Sequence, residues 1–142
     1  MSNSSSQVSF FLELAKAQNH IGRRFDCGLG GLSLNWFVIL HALNAAEDQR
    51  MRRIDLAEKV GLTPSGVTRL LAPMEKIGLI KREAADQDAR VSYVALAPGG
   101  KRTYEEGLER AEVLAEDILS ATGIKDTQKF TEALTKLCRL RF

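Results

Sequence analysis

Residues 53–71, RIDLAEKVGLTPSGVTRLL, decide how the rest of the chain is read. Gly61 separates a short helical segment, IDLAEKV (54–60), from a second that begins after Thr63. Thr63 is a residue type that caps helix N-termini. Pro64 suits the first helical position, where its missing N–H would be unpaired anyway. Ala57, Gly61 and Val67 follow one another at offsets of four and six. Two helices that cross closely need a small residue at the crossing, a glycine to turn between them and an apolar residue to dock the second, which is the pattern of a helix-turn-helix.

In the second of these helices Val67, Leu70, Leu71, Met74 and Ile77 form the inward stripe. Thr63, Ser65, Gly66, Thr68 and Arg69 are left on the outer face, near the N-terminus. That end enters the major groove in this motif. Short hydroxyls and exposed amides suit phosphate, Gly66 allows close backbone approach, and Arg69 can read guanine or hold phosphate.

Gly78 ends the helix. LIKRE (79–83) and VSYVALA (91–97) then read as two strands around a seven-residue loop, a β-hairpin. Upstream, apolar spacing predicts a helix over 8–26, closed by CGLGG (27–31), and a buried helix over about 34–46 capped by Ser33. Downstream, a long helix over 98–121 carries Tyr104, Leu108, Ala111, Ala115 and Ile118, and Asp126 is placed to cap a last helix. The fold class is therefore mainly α with a small β-wing. A winged helix-turn-helix occupies about 34–97, helices at 8–27 and 98–142 flank it, and 1–7 is expected to be disordered.

The net charge of +2 hides an uneven distribution. Between Arg50 and Arg102 there are 11 bases and six acids, a local charge of +5, whereas the rest of the chain carries −3. A basic middle between acidic ends is a polyanion-binding footprint. No glycine-rich phosphate loop, HExxH or nucleophile–base pair suggests an enzyme, and no cofactor is implied. The two cysteines and two histidines are not in zinc-ligand spacing. No apolar run reaches membrane-spanning length and the N-terminus lacks signal-peptide features, so the expectation is a cytoplasmic protein with reduced thiols and no membrane partner.

The segment LAEKVGLTPSGVTRLLAPMEKIGLIKREAADQDARVSYVALAPGG (56–100) resembles the MarR family of transcriptional regulators. Its pattern is a helix-turn-helix, then L-x-x-x-G-L-I-x-R, a wing with D-x-R, and L-T-x-x-G. The resemblance implies a homodimer, probing successive grooves of a pseudo-palindromic operator on double-stranded DNA, commonly as a repressor. It also implies control by a small aromatic or anionic effector, or by cysteine oxidation in some members. Carried over residue by residue, Ser65, Thr68 and Arg69 fall on base- and phosphate-contacting positions, Arg82 closes the second motif and joins the DNA-facing set, and Arg90 is the wing arginine with Asp88 as its acidic partner. Residues two apart on an extended segment share a side, so Asp88 is read as a brace for Arg90. Two departures stand out. Ala97 replaces the usual threonine cap, a loss on the order of 1 kcal/mol that Pro98 partly offsets, and Pro73 inside the recognition helix predicts a slight bend.

The flanking helices carry apolar stripes, and Phe10, Phe11 and CRLRF (138–142) place apolar residues near both chain ends. Such stripes suggest a partner chain. His20, Arg23, Trp36 and His41 are the ligand candidates, since a cation beside an aromatic wall suits an aromatic carboxylate. Cys27, one turn after Arg23 and Arg24, is the redox candidate, while Cys138 reads as a core residue. The competing readings are a protein-binding winged-helix adaptor and a cysteine-based redox-sensing regulator.

Overall fold

The computed structural model describes residues 5–85 and 88–140, with side chains described for 5–84 and 91–140. Among the described residues, six α-helices and three strands follow the expected order with a first strand and a 3-10 turn at Glu47–Gln49 added. Helix α1 runs Ser6–Gly28 and α2 Leu34–Ala45; strand β1 is Arg50–Arg52; α3 spans Arg53–Val60 and α4 Pro64–Lys76. Strands β2 (Ile80–Ala85) and β3 (Asp88–Leu96) form the wing, and α5 (Pro98–Thr122) and α6 (Thr127–Cys138) complete the chain. Among the described residues, no helix is long and apolar enough to cross a membrane.

Local chemistry sets the boundaries. Ser33 accepts from the Trp36 amide and Thr63 from the Gly66 amide, so both hydroxyls satisfy a donor that the first helical turn leaves open. Ser5 does the same for Val8, so α1 starts at Ser6 rather than after residue 7. Gly61 takes φ 74° at the end of α3, a left-handed conformation that costs a glycine little. Ala97 begins α5 without a side-chain cap, as its sequence requires, with Pro98 in the first turn. Asp126 also makes no side-chain cap, contrary to expectation. Helix α4 is unbroken across Pro73.

The sheet order is β1-β3-β2, all antiparallel. Strand β1 has no sequence pattern of its own: three residues are too few for an alternation to show, and the strand is defined by pairing Met51 with Val94. The hairpin ladder is also longer than the sequence suggests. It reaches Ala85 and Asp88, with an irregularity at Ala84/Ala85, so Asp88 and Arg90 fall on β3 rather than in a seven-residue loop.

The core is centred on the winged unit and extends to Leu29, Leu32, Tyr104 and Ala111 on either side of it. Ile39, Leu40 and Leu43 of α2, Leu56 and Ala57 of α3, Val67, Leu71 and Met74 of α4, and Ile80 and Val94 of the wing form one buried cluster. Burying each such side chain stabilises the fold by about 1.5–3 kcal/mol before entropy is counted. The amide of Leu62 bonds to the carbonyl of Ala57, closing the turn over the small residue where the helices cross. Helix α5 approaches α2 and the residue Leu32 before it through Gly107, where an added Cβ would lie 3.0 Å from Leu32 and 3.4 Å from Phe37 of α2.

Three expectations about packing need correction. Ile77 was placed on the inward stripe but is 61% exposed, because α4 ends at Lys76 and the helical period no longer applies. Leu114, rather than Ala115, continues the buried face of α5, since that face drifts around a helix of 25 residues. Cys138 is exposed rather than in the core, and α6 as a whole buries no residue within the chain.

Candidate nucleic-acid interface

The exposed face of α4 is organised by hydrogen bonds among its own small side chains. Thr63 Oγ1 accepts from the Gly66 amide at 3.0 Å and lies 3.3 Å from the Ser65 hydroxyl. A Cβ on Gly66 would approach Thr63 Oγ1 to 3.0 Å, so glycine keeps the cap uncrowded. Thr68 Oγ1 donates to the Pro64 carbonyl at 2.9 Å and accepts from Nη1 of Arg53 at 3.0 Å. Ser65 and Arg69 are exposed. The expected set Thr63, Ser65, Gly66, Thr68 and Arg69 is thus gathered on the first turns of one helix. The sequence reading missed Arg53, which lies fifteen residues from Thr68 and is joined to it only by the crossing of α3 and α4.

Most cations around the wing are paired. Arg82 Nε meets Glu75 Oε2 at 2.8 Å, near the C-terminal end of α4 and away from Thr63. Arg50 reaches Glu83 at 3.3 Å and lies 4.8 Å above the Tyr93 ring, Lys81 also meets Glu83, and Arg52 meets Asp55 at 3.0 Å. The bond to Asp55 raises the Arg52 pKa above its ordinary value. Arg53 and Arg69 have no carboxylate within ion-pair distance among the described residues. The side chains of Asp88 and Arg90 lie outside the described residues.

The four ligand candidates separate into one pair and two single residues. His20 and Arg23 face each other at 3.4 Å on the exposed side of α1. His41, on α2, shares a hydrogen bond with the Tyr104 hydroxyl at 2.7 Å, and Phe37 stacks on Tyr104. Trp36 is half-buried against the core and borders an open groove of about 240 Å³ that also touches Ile77, Leu79 and Arg110. No hydrogen bond, ion pair or ring contact joins His20 or Arg23 to Trp36 or His41 among the described residues. Cys27 and Cys138 are both exposed and free.

A family model described as MarR family matches residues 32–92, which are the α2–β3 region that holds this interface. This region is of the MarR family. The HTH-type transcriptional repressor YetL of Bacillus subtilis is similar to it, 30% identical over 96 residues, a match that spans 68% of this chain and 57% of YetL. The chain therefore matches little more than half the length of that relative. In fold it is similar to the transcriptional regulator BldR from Sulfolobus solfataricus, with a TM-score of 0.83 at 24% identity over 96% of this chain and 97% of that one. It is also similar to Sco3205, a MarR family transcriptional regulator from Streptomyces coelicolor solved in complex with DNA, with a TM-score of 0.72 at 22% identity over 94% and 81% of the two chains. The curated relatives that it matches are described as HTH-type transcriptional regulators, not as enzymes.

Proposed function

We propose that this MarR protein regulates transcription as a homodimer that binds a pseudo-palindromic operator, acts as a repressor, and is released by a small aromatic or anionic ligand. The observation that carries the DNA-binding part is the outer face of α4. There a capped helix N-terminus, the Ser65 hydroxyl, the bare backbone of Gly66 and Arg69, which has no carboxylate partner among the described residues, are collected on one exposed face. Helix N-termini attract phosphate through their free amides and dipole, and an arginine fork matches the edge of guanine.

In this reading α4 enters the major groove and Arg90, with Asp88 as its brace, serves the adjacent minor groove. Arg82 belongs to the scaffold: its pairing with Glu75 ties β2 to α4 and fixes the wing against the recognition helix. The dimer would be formed by α1, α5 and α6. Phe11 is 54% exposed and Phe130 61% exposed, more apolar surface than isolated chain ends normally leave in water. Two-fold symmetry then sets the two recognition helices roughly 34 Å apart, one turn of DNA. An effector would act where α1, α2 and α5 meet, near His41 and Trp36, by changing that spacing.

The test is selection from a pool of randomised duplexes, followed by titration of the winners across a range of salt. Enrichment of a sequence with internal two-fold symmetry and steep salt dependence is the expected result. Failure to enrich any sequence, together with salt-insensitive binding to a protein partner, would instead favour an adaptor.

A further inference from the structure

Arg53 is the first residue of α3, and its side chain leaves that helix to bond Thr68 on α4. The Thr68 hydroxyl gives its only proton to the Pro64 carbonyl and accepts the guanidinium of Arg53. A hydroxyl has one proton and two lone pairs. Thr68 therefore has no proton left for a base, and what it holds at the surface is a tethered guanidinium.

Arg53 also sits where helix electrostatics disfavour it. A helix N-terminus carries partial positive charge and prefers carboxylates or a short capping side chain. Here Arg52 occupies the cap, without a side-chain cap bond, and Arg53 follows it. Asp55 compensates Arg52 at 3.0 Å. Arg53 has no such partner among the described residues, and Thr68 offers it only a neutral oxygen. A polyanion at this point would turn an unfavourable local charge into a favourable one.

The surroundings suit a phosphate strand. Arg53 lines an open cleft of about 240 Å³ with Arg52, Ile54, Pro64, Val91 and Ser92. The cleft joins the N-termini of α3 and α4 to strand β3. With α4 in the major groove and the wing in the next minor groove, the sugar-phosphate backbone that separates the grooves must cross between α4 and β3. The first helix of a helix-turn-helix also runs beside that backbone.

We infer that Arg53 binds the phosphate backbone on the ridge between the two grooves, and that Thr68 is its positioning residue rather than a base reader. The inference rests on the DNA-binding reading above. Arginine suits the task because its planar fork can keep one N–H on Thr68 and turn others to phosphate.

The experiment measures binding of the full chain to its selected duplex, about 30 base pairs long so that two half-sites fit, between about 50 and 200 mM salt. Arg53→Ala is expected to weaken binding about tenfold or more, by a similar factor for the selected duplex and for duplexes with one half-site base changed. It should also reduce the salt slope by about 0.9 for each arginine removed. Arg53→Lys should keep the slope and recover only part of the affinity. Thr68→Ser should bind like the parent. Thr68→Val should weaken binding without changing base preference, and the double variant Arg53→Ala/Thr68→Val should bind no worse than Arg53→Ala alone, because both remove one unit.

Thermal unfolding separates this role from a structural one: Arg53→Ala should not lower the melting temperature. A parental slope and affinity in Arg53→Ala would overturn the inference and leave the DNA-binding reading intact. A changed base preference in Thr68→Val would overturn the positioning role. If the parent chain binds no duplex at any salt, the DNA-binding reading fails and this inference falls with it.

Discussion

Tyr104 of α5 and His41 of α2 share a hydrogen bond of 2.7 Å that joins the long C-terminal helix to the winged unit. Tyr104 is 4% exposed. Burial raises the phenol pKa above its ordinary value of 10.0, and the charge of Glu112 adds to the effect. The folded chain therefore keeps this proton where the unfolded chain releases it. Its contribution to stability is intact below about pH 10 and is lost as pH rises through the higher folded value. Tyr104→Phe removes both the bond and the titration. We expect it to cost about 1 kcal/mol near neutral pH. The gap between the two proteins in melting temperature should narrow as the pH is raised past about 10. A gap that stays constant across that range would show that Tyr104 does not titrate differently in the folded state.

Gly100 is fixed by a neighbour rather than by its own backbone. An added Cβ there would collide with the backbone carbonyl of Leu79, which already accepts a bond from the Ala97 amide at 3.0 Å. The end of α4, the start of β2 and the first turn of α5 converge at this carbonyl. Gly100→Ala should destabilise the fold by roughly 3 kcal/mol or more, since backbone cannot move aside as a side-chain end can. Gly22 is the contrast. It lies inside α1 with nothing within 4 Å of a built Cβ, so Gly22→Ala should stabilise that helix by about 0.5–1 kcal/mol. Chemical denaturation of the two variants checks both signs. Similar stabilities would mean that the Leu79 contact relaxes freely.

These two glycines show what was legible in the sequence. The turn and its neighbours, Ala57, Gly61, Thr63 and Val67, act within a few residues, so the helix-turn-helix could be read locally and stands as expected. Strand β1 depends on a partner more than forty residues away and has no pattern of its own. The bond from Arg53 to Thr68 exists only because two helices cross. Arg82 matches a family motif and is read with the DNA-facing residues, and the motif gives no sign of its ion pair with Glu75. Local rules reveal caps, turns and stripes. They do not reveal which of several cations a distant carboxylate will neutralise. The two arginines at the start of α3 were nevertheless a visible signal, because they oppose the helix dipole.

Helix α6 gives the clearest test of the proposed homodimer. It fully buries no residue within the chain, although Phe130 and Leu134 lie four residues apart on one face. A partner that covers this face would contribute on the order of 2 kcal/mol for each large side chain buried. Phe130→Glu should therefore shift the protein from dimer to monomer in sedimentation velocity at micromolar concentration. Its melting temperature should also lose the concentration dependence expected of the parent. A parent that already sediments as a monomer would sink the homodimer proposal.

Asp88 provides the last prediction. It is an acid on the strand of a wing proposed to meet DNA, paired in the ladder with Ala85. Simple electrostatics says that removing a negative charge from such a surface should tighten binding. The brace proposal says the opposite: Asp88 holds the Arg90 guanidinium in one direction, and an arginine that must search for the minor groove loses more rotamer entropy on docking. Asp88→Ala should then weaken operator binding even though the protein becomes more basic. Arg90→Ala should weaken it further and lower the salt slope by about 0.9 per arginine. Combining the two substitutions should cost no more than Arg90→Ala alone, because a brace without its arginine has nothing to orient. Tighter binding by Asp88→Ala at every salt concentration would replace the brace with plain repulsion.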